Sequence, residues 1–226
     1  MPETKIFEFN GYKATVIIPE NPNGKWIWKT EFLYAFDAAE RALLDEGYTR
    51  VYYSVSNKYG SDHAVRLMHE FHKHLVKTFP LEEKPVLFGF SRGGLYAFNY
   101  ALFYPEYVDK VYLDAPVLDM KTWPWENSPE QAEMLKEYGL NKEVFRDWKG
   151  NPIDNLEEYF ALKLSTLVVA GGADEVVPFP ENSGKMIAYC KEHGIDLISY
   201  VKPDCKHHPH SLEDDVTPIV KFVKGE

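Results

Sequence analysis

Lys84-Pro-Val-Leu-Phe-Gly-Phe-Ser-Arg-Gly-Gly-Leu-Tyr-Ala-Phe-Asn-Tyr-Ala-Leu-Phe103 reads as an apolar strand, a sharp turn centred on Ser91 and a helix. The run Val86-Leu-Phe88 is short and wholly apolar, as in a strand covered on both faces, and Leu95, Phe98 and Leu102 then recur at helical spacing. Gly89 and Gly93 stand two positions either side of Ser91. A turn this sharp strains the backbone at Ser91, and a side chain at either glycine would strike the neighbouring strand or helix. Gly-x-Ser-x-Gly alone is a weak pattern, and a tight glycine-rich turn with only a packing role would also fit it. Between a strand and a helix it is a nucleophile elbow. It holds the Ser91 hydroxyl at the positive end of the helix, where the backbone N–H of Arg92 can meet a developing oxyanion.

Outward from the elbow, strands alternate with helices. Lys5–Phe9 and Tyr12–Ile18 form a hairpin around Asn10-Gly11, a strong turn dipeptide. Trp26-Ile-Trp28 gives a third strand, Phe32 to Glu46 a helix stopped by Gly47, and Val51 to Val55 a strand. A helix from His63 to Phe79 precedes the elbow, and the strand Lys110–Leu113 follows its helix. Thr166–Ala170 and Leu197–Val201 read as strands, Glu181–His193 and Ser211–Val223 as helices. This alternation predicts an α/β fold with a mostly parallel central sheet and helices on both faces. From about 118 to 162 the pattern changes to two polar helical stretches and turns, which suggests a small cap inserted in one domain spanning 1–226. Catalytic groups are then expected at the carboxyl ends of the strands.

The formal charge of −10, from 35 acidic against 25 basic residues, argues against nucleic acid or an anionic membrane as partner. No apolar run is long enough to span a bilayer, and the first residues lack a basic region followed by an apolar stretch, so a cytoplasmic location is expected. Cys190 and Cys205 fit no metal spacing and read as ordinary thiols.

A serine hydroxyl needs a base to take its proton. Val201-Lys-Pro-Asp-Cys-Lys-His-His-Pro-His210 puts His207, His208 and His210 in the loop after the last strand, where an elbow enzyme keeps its base. One of the three is the expected base; no carboxylate cluster completes a metal set there, and neither metal nor cofactor is expected. The acid is expected just beyond the preceding strand, where Asp174 is favoured over Glu175, with Asp114 as reserve. Arg92 supplies one oxyanion donor, and topology places the second near Lys29 or Thr30. Trp28, Trp123 and Trp125 are candidates for contact with substrate, although aromatic packing explains such residues equally well. His63, His69, His72 and His74, interleaved with Glu70 and Lys73, read as a solvated helix surface rather than a ligand set.

With these residues in place, the chain resembles the α/β-hydrolase superfamily from Thr15 to Val223. The anchors are Gly89-Phe-Ser-Arg-Gly93, Gly171-Gly-Ala-Asp-Glu-Val-Val-Pro178 and His207-His-Pro-His210. More narrowly, Trp26-Ile-Trp-Lys-Thr-Glu-Phe32, Ser91-Arg-Gly-Gly94, Asn182-Ser183 and His207-His-Pro-His-Ser-Leu212 are similar to a bacterial esterase-like subgroup related to the prolyl-oligopeptidase catalytic domain. The resemblance implies a triad of Ser91, Asp174 and His207, because members commonly carry Gly-His at the base and His207 falls at that His. Here the Gly is Lys206, so His208 and His210 stay open as alternatives. The expected activity is a serine hydrolase cleaving a small-molecule or carbohydrate ester through an acyl-enzyme. The alternatives are an aminopeptidase, thioesterase or acyltransferase with the same triad, or a silent binding protein. The sequence specifies neither the acyl group, the alcohol nor the oligomeric state.

Overall fold

The Asn10-Gly11 turn closes a hairpin because both residues take the positive φ that such a turn requires, 48° and 80°. Its strands, β1 (Glu3–Phe9) and β2 (Tyr12–Ile18), pair antiparallel with Phe9 opposite Tyr12. The computed structural model describes all 226 residues. The other strands are β3 (Trp26–Lys29), β4 (Thr49–Tyr53), β5 (Val86–Phe90), β6 (Lys110–Asp114), β7 (Ser165–Gly171) and β8 (Ile198–Lys202). All eight join one sheet in the order β1-β2-β4-β3-β5-β6-β7-β8. β2 runs antiparallel to β4, and every later pairing is parallel, so the crossovers carry β3 to β8 with their carboxyl ends on one edge.

The helices are α1 (Ala38–Asp45), α2 (Asp62–Thr78), α3 (Gly93–Phe103), α4 (Pro129–Glu137), α5 (Lys142–Asp147), α6 (Leu156–Ala161), α7 (Ser183–His193) and α8 (Thr217–Lys224). Strand parity sorts the core between them. Trp26, Trp28, Leu87, Val111, Leu113 and Val168 face α2, α3 and Met186 of α7. Ile27, Val86, Phe88, Phe90, Tyr112, Leu167 and Val169 face α1 and α8. Both faces of the central strands are therefore dry, the physical reason their sequences are apolar throughout. Between β6 and β7 the chain leaves the sheet for α4, α5 and α6. Asn182 holds the start of this excursion, its side-chain oxygen accepting the N–H groups of Leu118 and Asp119 at 2.8 and 2.9 Å. No helix is long and apolar enough to cross a membrane.

Two helices are shorter than the periodicity predicts. The segment read as helix from Phe32 begins at Ala38, because Phe32 and Phe36 lie at φ 59° and 51° and the loop between them is held from the sheet. Lys29 donates to the Ala35 carbonyl at 2.6 Å, and Arg50 donates to that of Leu33. The segment read as helix from Ser211 begins at Thr217, since Ser211 and Glu213 are also left-handed and the Ser211 N–H is drawn to Asp114. In both places apolar spacing suggested helix, and tertiary hydrogen bonds took the backbone instead.

His72 also departs from its sequence reading. It is buried, not on a solvated face: Nε2 meets the Glu83 carbonyl at 2.7 Å and Nδ1 the Tyr100 hydroxyl at 2.8 Å. The carbonyl can only accept, so Nε2 carries the proton, and burial pushes the imidazole down to about 4.

Candidate active site

Ser91 follows β5 directly and sits at φ 51°, the left-handed strain expected of an elbow. Backbone bonds from both sides hold it there: its N–H donates to the Asp114 carbonyl and its own carbonyl accepts from Val117, each at 2.9 Å. Gly93 is required because a Cβ there would lie 2.9 Å from Thr30 Oγ1 and 3.1 Å from the Glu31 Cβ. Ser91 is half-buried.

His207 reaches this serine from the loop after β8. Its Nε2 lies 2.9 Å from Ser91 Oγ, and its Nδ1 lies 2.7 Å from Asp174 Oδ2. A carboxylate only accepts, so Nδ1 carries the proton and Nε2 offers its lone pair to the hydroxyl. The other oxygen of Asp174 accepts the N–H groups of Val176 and Val177 at 2.9 and 3.0 Å, which fixes the carboxylate. The loop can lie this close because residue 171 is Gly: a Cβ there would stand 2.2 Å from the Lys206 carbonyl.

His208 and His210 do not meet Ser91. His208 is largely exposed and its ring stacks on Phe36 with centroids 5.4 Å apart; partial desolvation by its neighbours, then the charges of His210 and His207, lower its pKa. His210 is buried and donates from Nδ1 to Asp114 Oδ1 at 2.9 Å. Asp114 Oδ2 accepts the Ser211 N–H at 2.5 Å and the Tyr112 hydroxyl. The reserve acid thus has its own histidine.

The donor expected near Lys29 or Thr30 is found at neither. Parity turns the Lys29 side chain to the α1 face, where its ammonium pairs with buried Glu40; burial lowers the lysine's pKa and raises the glutamate's. The Thr30 N–H is committed to the Phe88 carbonyl at 3.0 Å. The next N–H, that of Glu31, donates to no group of the chain, and a Cβ on Gly93 would come 3.5 Å from it; the Arg92 N–H is likewise free. Trp28 also departs from its sequence reading: it is fully buried among Trp26, Phe71, His72 and Tyr100. Trp123 packs on the core beside Tyr59, while Trp125 is exposed.

Sequence reasoning passed over two residues here. Glu31 is buried, with one oxygen 3.3 Å from the Arg92 guanidinium and 3.1 Å from the Ser56 hydroxyl. Its other oxygen has no partner, and burial raises its pKa against the pull of Arg92. An acidic residue two positions after a buried strand was the available signal. Phe36 was hidden by the helix reading of its segment. A cavity of about 450 Å3, lined by Lys25, Trp26, Glu82 and Lys110 among others, opens at the amino ends of the strands, the wrong edge for this chemistry.

The profile of the prolyl oligopeptidase family matches residues 45–225. No curated protein matches the sequence. Among solved structures, the acylaminoacyl peptidase of Pyrococcus horikoshii is similar at TM-score 0.66 and 15% identity, over 92% of this chain and 37% of that one. A candidate dipeptidyl aminopeptidase IV of Bacteroides ovatus is similar at 0.68 and 14%, over 100% and 35%. The chain thus spans little more than a third of the length of either. The fluorophosphonate-binding serine hydrolase F of Staphylococcus aureus, solved with substrate bound, is similar at 0.69 and 14%, over 100% of this chain and 96% of that one. At these identities the likeness is one of fold, and that fold is the α/β-hydrolase fold.

Proposed function

The chain belongs to the prolyl oligopeptidase family of serine hydrolases, and on that premise we propose that it cleaves esters of small molecules through an acyl-enzyme on Ser91. The observation that carries this reading is the unbroken hydrogen-bonded chain from Ser91 through His207 to Asp174, at 2.9 and 2.7 Å.

Ser91 Oγ bonds to the ester carbonyl carbon while its proton passes to His207 Nε2, and the carbonyl electron pair moves onto oxygen. Asp174 keeps the ring in the accepting tautomer and stabilises the imidazolium that forms. The free N–H groups of Arg92 and Glu31 receive the oxyanion, two fixed dipoles that need no rearrangement when charge develops. Collapse expels the alcohol, which takes the proton from His207; water then repeats the sequence and releases the acid. No cofactor enters this scheme. The ester preference is supported by the shortness of the excursion between β6 and β7, which suits a compact substrate; the end-to-end likeness to a fluorophosphonate-binding hydrolase supports the serine nucleophile.

A peptidase reading draws on the two peptidase structures, of which this chain covers little more than a third. A panel of p-nitrophenyl esters, thioesters, an alcohol acceptor and aminoacyl amides tests the proposal, with ester hydrolysis expected to dominate. A fluorophosphonate probe should label the wild type and spare Ser91→Ala. Labelling without turnover of any ester, or faster amide cleavage, overturns the ester assignment; an unlabelled, folded wild type overturns the triad.

A further inference from the structure

Moving the Ser91 proton uses one of the three histidines in the loop, and the other two take no part in that transfer. We propose that His207, His208 and His210 together form a reversible inhibitory site for a divalent transition metal of the zinc type, which withdraws the base from Ser91. The inference rests on the reading of His207 as base.

One ligating atom from each ring lies within 4.8 Å of the other two. The ring centroids stand 4.8, 4.9 and 4.9 Å apart and the planes are steeply inclined, at 68°, 80° and 89°, so the rings form a fan and not a stack. Three imidazole nitrogens on one tetrahedral zinc, each at about 2.1 Å, are about 3.4 Å apart. No pair exceeds 4.8 Å, so none must close by more than about 1.4 Å, and the exposed His208 ring is free to turn toward the two anchored rings.

The partners of the rings make the argument. Histidines that ligate metal give their second N–H to a carboxylate, which fixes the tautomer and aims the other lone pair at the ion. Asp174 does this for His207 and Asp114 does it for His210, at 2.7 and 2.9 Å. Two buried carboxylates behind the rings also offset a double positive charge. Proton transfer explains the first pair alone. An all-imidazole set selects zinc, copper or nickel and rejects magnesium and calcium, which take oxygen ligands. Coordination through His207 Nε2 occupies the lone pair that accepts the Ser91 proton, so a loaded site is a silent one.

Titration calorimetry with zinc chloride on Ser91→Ala, which needs no catalysis, should show one-to-one binding that calcium does not reproduce. His208→Ala should weaken it about tenfold or more, and Asp114→Asn about ten- to hundredfold. In the wild type, zinc should abolish ester hydrolysis and fluorophosphonate labelling together, with recovery on EDTA. His208→Ala should keep its metal-free turnover and need about tenfold more zinc for the same loss. No one-to-one binding at millimolar zinc overturns the proposal, as does equal sensitivity of wild type and His208→Ala. Protection in Cys205→Ser instead would assign the effect to that half-exposed thiol and also overturn it. Metal-free protein that neither turns over nor labels would sink the catalytic reading, while the calorimetry still decides the metal site.

Discussion

Asp174, just past β7, and Asp114, at the end of neighbouring β6, each give a carboxylate oxygen to Nδ1 of a histidine in the same loop, at 2.7 and 2.9 Å. Both acids are buried, both histidines are buried, and both carboxylates take further N–H or O–H donors on the second oxygen. The difference lies beyond the rings. His207 Nε2 faces Ser91, whereas the His210 ring lies against Phe90 and Phe36, with centroids 5.4 and 5.1 Å away. Two chemically equivalent pairs therefore differ in role because the elbow stands in front of only one. The second pair anchors the loop that carries the first.

The largest expected effect tests the front of this arrangement: Ser91→Ala or His207→Gln should each cut kcat by about five orders of magnitude or more, read with the best p-nitrophenyl ester. Exchanging the two acids sharpens the contrast. Asp174→Asn should cost about 10^4 in kcat, because the amide no longer fixes the accepting tautomer, while Asp114→Asn should cost about tenfold or less. Equal losses would break the comparison and place both pairs in proton transfer.

His72 extends the contrast to a buried histidine with only neutral partners, Tyr100 and the Glu83 carbonyl. The unfolded imidazole takes its proton near 6.5 and the folded one only at about 4, so stability is complete above 6.5 and is lost as pH falls toward 4. Between pH 7 and pH 4 the wild type should lose about 3 kcal/mol more than His72→Gln in urea unfolding. Parallel curves would mean that His72 takes its proton as readily in the fold as in the unfolded chain.

Smaller effects belong to the anchor. Asp114→Asn should destabilise by about 1–3 kcal/mol, since its amide N–H groups would face the Ser211 N–H where a carboxylate now accepts. Lys202 donates to the Pro209 and Ser211 carbonyls at 2.6 and 2.8 Å, and Lys202→Met should cost about 1 kcal/mol with kcat little changed. A large kcat loss in Lys202→Met with unaltered melting would move the anchoring role from Asp114 to the lysine.

Much of the architecture was legible because its signals are local. Apolar runs, turn dipeptides and the glycine spacing about Ser91 act over a few residues, and strand alternation made the parallel sheet follow. The helix read from Phe32 failed because Lys29 and Arg50, both on sheet strands, hold that loop by its carbonyls, and the pull of a side chain on a carbonyl leaves no mark in the apolar spacing. At the end of β3, parity turns Lys29 to Glu40 and the Phe88 carbonyl takes the Thr30 N–H, which leaves the free N–H near them on Glu31. Burial of Trp28 and His72 likewise depends on which face packs against α2 and α3.

By itself, the sequence determined the elbow, the alternation of strands and helices, and the short list of partners, since each is written in neighbouring residues. Only the tertiary structure decided which histidine meets Ser91, which acid His210 receives, and that Glu31 lies beside the elbow. These choices join residues 116, 96 and 61 positions apart, and strand order alone fixes which of them meet.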